Sequence, residues 1–309
     1  MHAYYFQIKQ NHPTNHSFLP QMRLILQKYC SMENSILLID CPDEKGLIFK
    51  ITGLIYKNHL NIIENSEFVD KNRGWFFMRT EFTGFFPEKP LIEELREILP
   101  TGSTIKLTQK EQKKVVLMVT KEHHCLSDLL VRNYFKDLNI SVEAVISNYM
   151  ILDKIAAKFD IPFYYVSHEN RSREDHEKYI HQVLSELDFQ YIVLAKYMRI
   201  LSPDFIAKYP NKIINIHHSF LPAFVGASPY AQAFERGVKI IGATAHFVNE
   251  DLDQGPIIAQ NVLPVAHSHS AADMALAGKD VEKIVLAKAL KLVLEERVFV
   301  SGNKTVIFD

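Results

Sequence analysis

The chain has 309 residues, 47% of them hydrophobic and 23% charged, with 35 basic against 36 acidic side chains for a net charge of -1. That length accommodates two domains with buried cores, and the charge balance excludes an extended nucleic-acid or anionic-membrane surface. Cys30, Cys41 and Cys125 are too few and too scattered for a disulfide framework or a Cys-x-x-Cys metal site, which points to reduced thiols in a cytoplasmic protein.

No uninterrupted apolar run reaches the ~18 residues of a membrane-spanning helix. Residues 1–31 hold Lys9, Arg23 and Lys28 but no acid, and Pro13 and Pro20 interrupt them, so they read as a loosely attached extension rather than a secretory signal. Met32 is a candidate translation start. Residues 32–109 then give a strand at Ile36 to Ile39, a turn from Asp40 to Gly46 and a helix from Leu47 to Lys57. Strands from Leu60 to Val69 and from Trp75 to Phe82 flank the hairpin signal Asp70-Lys71-Asn72-Arg73-Gly74. A helix from Leu91 to Leu99 and a strand from Ser103 to Leu107 complete the order βαββαβ, a ferredoxin-like unit.

The polar run Lys110 to Lys114 is read as a linker, and residues 115–309 as a second domain. Apolar strands at Val115 to Val119, Ser141 to Ile146, Phe163 to Val166, Tyr191 to Ala195 and Ile213 to Ile216 alternate with helical periods such as Arg173 to Leu187. This alternation predicts a Rossmann-like α/β domain with a mainly parallel sheet. Ser202-Pro203 and Ser228-Pro229 each place a capping hydroxyl before a proline suited to the first helical turn. Val238 to Val248 and Pro256 to Val265 predict a hairpin added to that sheet, followed by a helix from Ala271 to Arg297 and a last hairpin around Ser301-Gly302-Asn303.

Ligands of open α/β sheets bind beyond the carboxyl ends of the strands. In Ile213-Ile214-Asn215-Ile216-His217-His218-Ser219, Asn215 and His217 are two residues apart at such an end and so project to the same side. A pair of this kind serves either to satisfy loop backbone or to aim polar groups at a ligand, and the short motif does not separate the two uses. Asp253, in Leu252-Asp253-Gln254-Gly255, is likewise either a turn former or a working carboxylate. The pairs His123-His124 and His217-His218 and the motif His267-x-His269 invite a metal reading. Adjacent histidines on a strand face opposite sides, however, and no Cys or acidic set completes tetrahedral ligation, so no metal is expected.

A longer match separates these uses. Asn211 through Phe224, Gly226-Ala227-Ser228-Pro229-Tyr230, Gly242 through Val248 and Leu252-Asp253-Gln254-Gly255-Pro256-Ile257 together resemble the folate-dependent formyltransferase fold family. The resemblance is strongest to its branch that hydrolyses 10-formyltetrahydrofolate. It continues through Ala195-Lys196-Tyr197-Met198-Arg199-Ile200-Leu201-Ser202-Pro203 back to about residue 115. Asp40-Cys41-Pro42-Asp43-x-x-Gly46-Leu47 is similar to the start of an ACT domain, which precedes the hydrolase in that branch. Tyr149 departs from the pattern, where a histidine is expected.

The resemblance implies Asn215, His217 and Asp253 as the catalytic trio. It implies Met198, Arg199, Ile200, Leu201, Glu250 and Leu252 as folate-binding residues. Asp43, Gly46, Leu47 and Asn61 are expected to receive a regulatory amino acid, with glycine and methionine as the implied effectors, and a homo-oligomer is implied through paired ACT domains. The folate is substrate and no cofactor is implied. The stretch Thr120 to Asp128 contains no glycine and two acids, so it lacks the glycine-rich cradle that would hold the phosphate of a glycinamide ribonucleotide acceptor. Water is therefore the expected acceptor, with formate and tetrahydrofolate as products. Transfer to another amine, and an amino-acid- or folate-sensing protein without turnover, are the alternatives.

Overall fold

The computed structural model describes residues 34–223 and 229–309. The extension read over 1–31, Cys30 and the Gly226-Ala227-Ser228 segment lie outside the described residues, so the capping role expected of Ser228 does too. Four consecutive apolar residues, Ile36 to Ile39, occupy the middle of β1 (Ser35–Pro42), and such a run suits a strand covered on both faces. Leu37, Ile39 and Cys41 meet α1 (Leu47–Lys57) and α2 (Glu88–Ile98), whereas Ile36 and Leu38 turn to the other face. Gly46, at φ +88°, makes the left-handed turn from which α1 starts. With β2 (Asn61–Asp70), β3 (Trp75–Thr83) and β4 (Thr104–Gln109), the first sheet has the order β2-β3-β1-β4, the predicted βαββαβ unit.

The second domain begins at β5 (Lys113–Val119), so the linker is shorter than the polar run suggested. Lys113 and Lys114 enter the strand because their charges are matched: Lys113 Nζ lies 3.4 Å from Glu296, Lys114 Nζ lies 2.7 Å from Asp188, and the Lys114 N–H donates to Gln190. α3 (His124–Tyr134), β6 (Ile140–Ser147), α4 (Asp153–Ala157), β7 (Phe163–Tyr165), α5 (Arg173–Ser185), β8 (Tyr191–Leu194), α6 (Pro203–Ala207) and β9 (Ile213–His217) follow. α7 (Pro229–Glu235), β10 (Ile240–Phe247), β11 (Ile257–Pro264) and the long α8 (Ala271–Leu294) complete the domain body. The seven-stranded sheet has the order β11-β10-β9-β8-β5-β6-β7. β5 to β9 pair in parallel, and β10 and β11 add antiparallel, as the hairpin signal predicted. Alternate residues of β5 enter different cores: Val115, Leu117 and Val119 pack with α3 and α8, Val116 and Met118 with α5 and α6.

β12 (Val298–Ser301) and β13 (Lys304–Ile307) form the last hairpin, whose Phe299 packs with Phe308 on Ile36, Leu38 and Phe77 of the first domain. α8 stops at Leu294, short of the predicted Arg297. Glu296 takes a left-handed φ of +55°, its N–H reaches the Val293 carbonyl, and Arg297 N–H reaches that of Leu292. This is a Schellman ending built without the glycine that would have announced it. Arg79, 1% exposed on β3, closes the same junction. Its guanidinium donates to the carbonyls of Glu295 (3.2 Å) and Glu296 (3.1 Å) and pairs with Glu64 (3.1 Å) and Glu81 (3.4 Å). Breaking a buried charged set by removing one member costs about 3–5 kcal/mol. Arg79→Met is expected to lose stability on that scale in equilibrium urea unfolding, and an unchanged midpoint would show that the guanidinium does not tie the domains.

Candidate active site

Asn215 and His217 stand on β9, and the sheet register sets what faces them. β10 pairs with β9 so that Thr244 lies opposite His217 and His246 opposite Asn215. His246 Nδ1 lies 2.8 Å from the Phe247 carbonyl, and because a carbonyl only accepts, this nitrogen carries the proton. Nε2 is then the acceptor for Asn215 Nδ2 at 3.3 Å. Burial, against the Phe247 hydrogen bond, lowers the His246 pKa, which fits a neutral ring. One N–H of the Asn215 amide is thereby fixed, and the other has no partner among the described residues.

The loop between β10 and β11 brings Asp253 to His217, with Asp253 Oδ1 3.2 Å from His217 Nδ1 and 3.9 Å from His246 Nε2. Asp253 itself has a left-handed φ of +57°, a conformation that aspartate tolerates better than most residues. At Gly255 a Cβ would sit 1.8 Å from the Phe247 carbonyl oxygen, so only glycine lets the loop close this tightly. Burial alone would raise the Asp253 carboxyl, but the hydrogen bond and charge of His217 outweigh burial and hold it below the usual carboxylate value. His217 Nε2 is buried and has no hydrogen-bond partner among the described residues. After β9 the chain is pinned by Thr244: its hydroxyl donates to the Ser219 carbonyl (2.8 Å) and accepts from the Leu221 N–H (3.0 Å).

Asn215, His217 and Asp253 line a cavity of about 300 Å³, and so do Met198, Arg199, Ile200, Leu201, Glu250 and Leu252. Residues from three segments, following β8, at the end of β9 and between β10 and β11, thus meet at the carboxyl end of the sheet. Met198, Ile200 and Leu252 expose apolar surface at its mouth, which suits a flat, partly apolar ligand. Asp43, Gly46, Leu47 and Asn61 are not part of this cavity. Asp43 and Gly46 lie in the turn before α1, Asn61 starts the edge strand β2, and the Leu47 side chain is 2% exposed in the first domain's core, leaving only its backbone for a ligand.

Residues 113–290 match the Formyl transferase family profile and residues 35–100 the ACT domain profile. The formyltetrahydrofolate deformylase of Haemophilus influenzae is 55% identical over 276 residues, covering 89% of this chain and 99% of that protein. The chain belongs to the formyltetrahydrofolate deformylase family. A solved formyltetrahydrofolate deformylase from Pseudomonas syringae superposes with a TM-score of 0.86 at 39% identity, over 95% of this chain and all of that one. A glycinamide ribonucleotide transformylase from Symbiobacterium toebii shares the fold with a TM-score of 0.62 at 26% identity, covering 68% of this chain and all of that one.

One group beside this deformylase-family site, sharing only Lys196 with the cavity lining, escaped the sequence reading. His123 and His124 are not strand neighbours: His123 immediately precedes α3 and His124 opens it, because the chain leaves β5 at Val119 and turns. His124 Nε2 lies 2.8 Å from Glu282 on α8, where Lys196 Nζ approaches to 3.2 Å and the Tyr230 hydroxyl donates at 2.8 Å. His124, Cys125 and Glu282 therefore do form the kind of His, Cys and acidic grouping thought missing, with their donor atoms within 4.8 Å of one another. The cation beside Glu282 is Lys196, and burial pushes the Cys125 thiol up, away from the thiolate a metal would need. Burial alone would raise Glu282, but the His124 hydrogen bond and the Lys196 charge outweigh it and hold the carboxyl at about 2. A carboxyl depressed on folding contributes stability above its ordinary value and loses it as the pH falls through the folded value. The stability gap between the wild type and Glu282→Gln is therefore expected to be full at neutral pH and to shrink as the pH falls from 4.5 towards 2. Urea midpoints measured across that range check this, and a gap that widens in acid would contradict it.

Proposed function

We propose that this protein hydrolyses 10-formyltetrahydrofolate to formate and tetrahydrofolate in the cavity between Met198 and Asp253. The observation that carries the reading is the His217 Nδ1–Asp253 Oδ1 contact at 3.2 Å, which turns the unpartnered His217 Nε2 to the side shared with Asn215. The formyl carbon on N10 is amide-like, and attack on it develops an oxyanion. Donors already aimed at that oxygen are most effective in a site closed to bulk water. Asn215 Nδ2 supplies one, its amide held by His246, and His217 in its protonated form supplies the other from Nε2.

Asp253 binds His217 through Oδ1, and we assign its Oδ2 to the attacking water. The water oxygen bonds to the formyl carbon as its proton passes to Asp253. His217 then gives the Nε2 proton to N10, the carbon–N10 bond breaks, and formic acid and the secondary amine leave. The proton on Asp253 returns to His217, restoring the ion pair. Met198, Arg199, Ile200, Leu201, Glu250 and Leu252 hold the pterin end, and no separate cofactor enters.

For the first domain we propose that the turn Asp43 to Gly46, the Leu47 N–H and Asn61 receive a small amino acid, with glycine and methionine as the effectors. We also propose that paired ACT domains join the chain into a cytoplasmic homo-oligomer. The ACT profile match over residues 35–100 supports small-molecule regulation, and no described helix is long and apolar enough to cross a membrane.

The testing experiment incubates the purified protein with 10-formyltetrahydrofolate and no added amine. Stoichiometric formate is expected, and its absence would reject hydrolysis. Asn215→Ala removes one oxyanion donor and is expected to lower kcat by about 100- to 1000-fold. A variant that turns over at the wild-type rate would remove Asn215 from the mechanism.

A further inference from the structure

The strand order reverses at β5: the chain proceeds from β5 to β6 and β7 on one side, then returns to β8 and β9 on the other. In open α/β sheets the crevice outside the carboxyl ends at such a reversal is where ligands enter. Here the described side chains at that reversal pack against one another. The loop leaving β5 is held down on α8 at two points about one helical turn apart, by His124 on Glu282 at 2.8 Å and by Glu122 on Lys279 at 2.8 Å. From β8, Lys196 closes the other side, its ammonium on Glu282 and its backbone at φ +66°, a conformation in which glycine is the unstrained occupant. The side chains of Glu282, His124 and Lys196 are 1%, 5% and 8% exposed. Tyr230 packs against the same helix: at Gly278, one turn before Glu282, a Cβ would meet the Tyr230 hydroxyl at 2.0 Å.

We propose that the buried set Glu282, Lys196, His124 and Tyr230 determines acceptor specificity: it fills the approach by which an amine would reach the formyl carbon and leaves water as the nucleophile. The fold alone does not exclude amines, since a glycinamide ribonucleotide transformylase shares it. The difference must lie in side chains around the reacting carbon, and Lys196 of this set lines the same cavity as Asn215 and His217. His218, next to His217, has its ring 6.0 Å from that of Tyr230 and 5.2 Å from that of His217. The proposal rests on the hydrolytic reading above. In the transfer it prevents, the amine nitrogen bonds to the formyl carbon, the carbon–N10 bond breaks, and one amine proton goes to N10.

The test replaces both charges together, because a lone buried charge would endanger the fold. Lys196→Gly/Glu282→Ala and the wild type are each given 10-formyltetrahydrofolate with glycinamide, and N-formylglycinamide and formate are measured together. The wild type is expected to yield formate alone, and the double variant to raise the ratio of formylated amine to formate at least tenfold. A folded double variant with an unchanged ratio would overturn the proposal. Should that variant fail to fold, Glu122→Ala/Lys279→Ala frees the same loop through partly exposed residues. It is expected to raise the ratio in the same direction, and an unchanged ratio there overturns the proposal as well. Wild-type protein that releases no formate would instead strike at the hydrolytic reading itself.

Discussion

The hydrogen bond from His217 to Asp253 joins the end of a parallel strand to a loop some 36 residues further along the chain, and the geometry of the site depends on it. Three local features make it. The β9–β10 register sets His246 beside Asn215, and a slip of one residue would turn every one of these side chains to the opposite face. Gly255 lets the loop press against the Phe247 carbonyl, and Asp253 accepts the left-handed backbone that points its carboxylate inward. A strained residue at a functional position is supported by what surrounds it. Here that support is the strand pair on either side of the loop.

Two buried hydrogen-bonded groups of titratable side chains sit close together at the carboxyl end of the sheet. Asp253 with His217 faces the cavity, and Glu282 with Lys196 and His124 lies against α8. His218 stands next to the first and close to Tyr230 of the second. Burial, then the Lys196 charge, brings its pKa to about 4, so it is a neutral spacer at physiological pH. Each set is internally paired, which keeps donors fixed in a medium where an unpartnered polar group would be costly. The same α8 that carries Glu282 ends under Arg79 of the first domain, so one helix spans the distance from the domain junction to the catalytic neighbourhood.

The order of elements was legible because both domains obey simple periods. The apolar runs of β5 and β9, covered on both faces, and the apolar positions Leu47, Ile51, Leu54 and Ile55 in α1 follow directly from which faces are covered. Asn215 and His217 could be placed on one side of a strand by spacing alone, and the link to Asp253 came from resemblance. What stayed hidden were residues whose roles depend on distant partners. Glu282 reads as an ordinary helical acid until Lys196, 86 positions earlier, is seen beside it. His124 reads as half of a histidine pair until α3 is seen to begin there. Lys113 reads as linker until Glu296 neutralises it, and Glu296 hides a helix ending that usually requires glycine.

The central claim is that solvent, held by Asp253, attacks a formyl carbon whose oxygen is held by Asn215 and His217. A single turnover of 10-formyltetrahydrofolate in heavy-oxygen water, followed by mass analysis of the product, tests it most directly. Formate bearing one solvent-derived oxygen is the expected result. Formate without label would contradict the account.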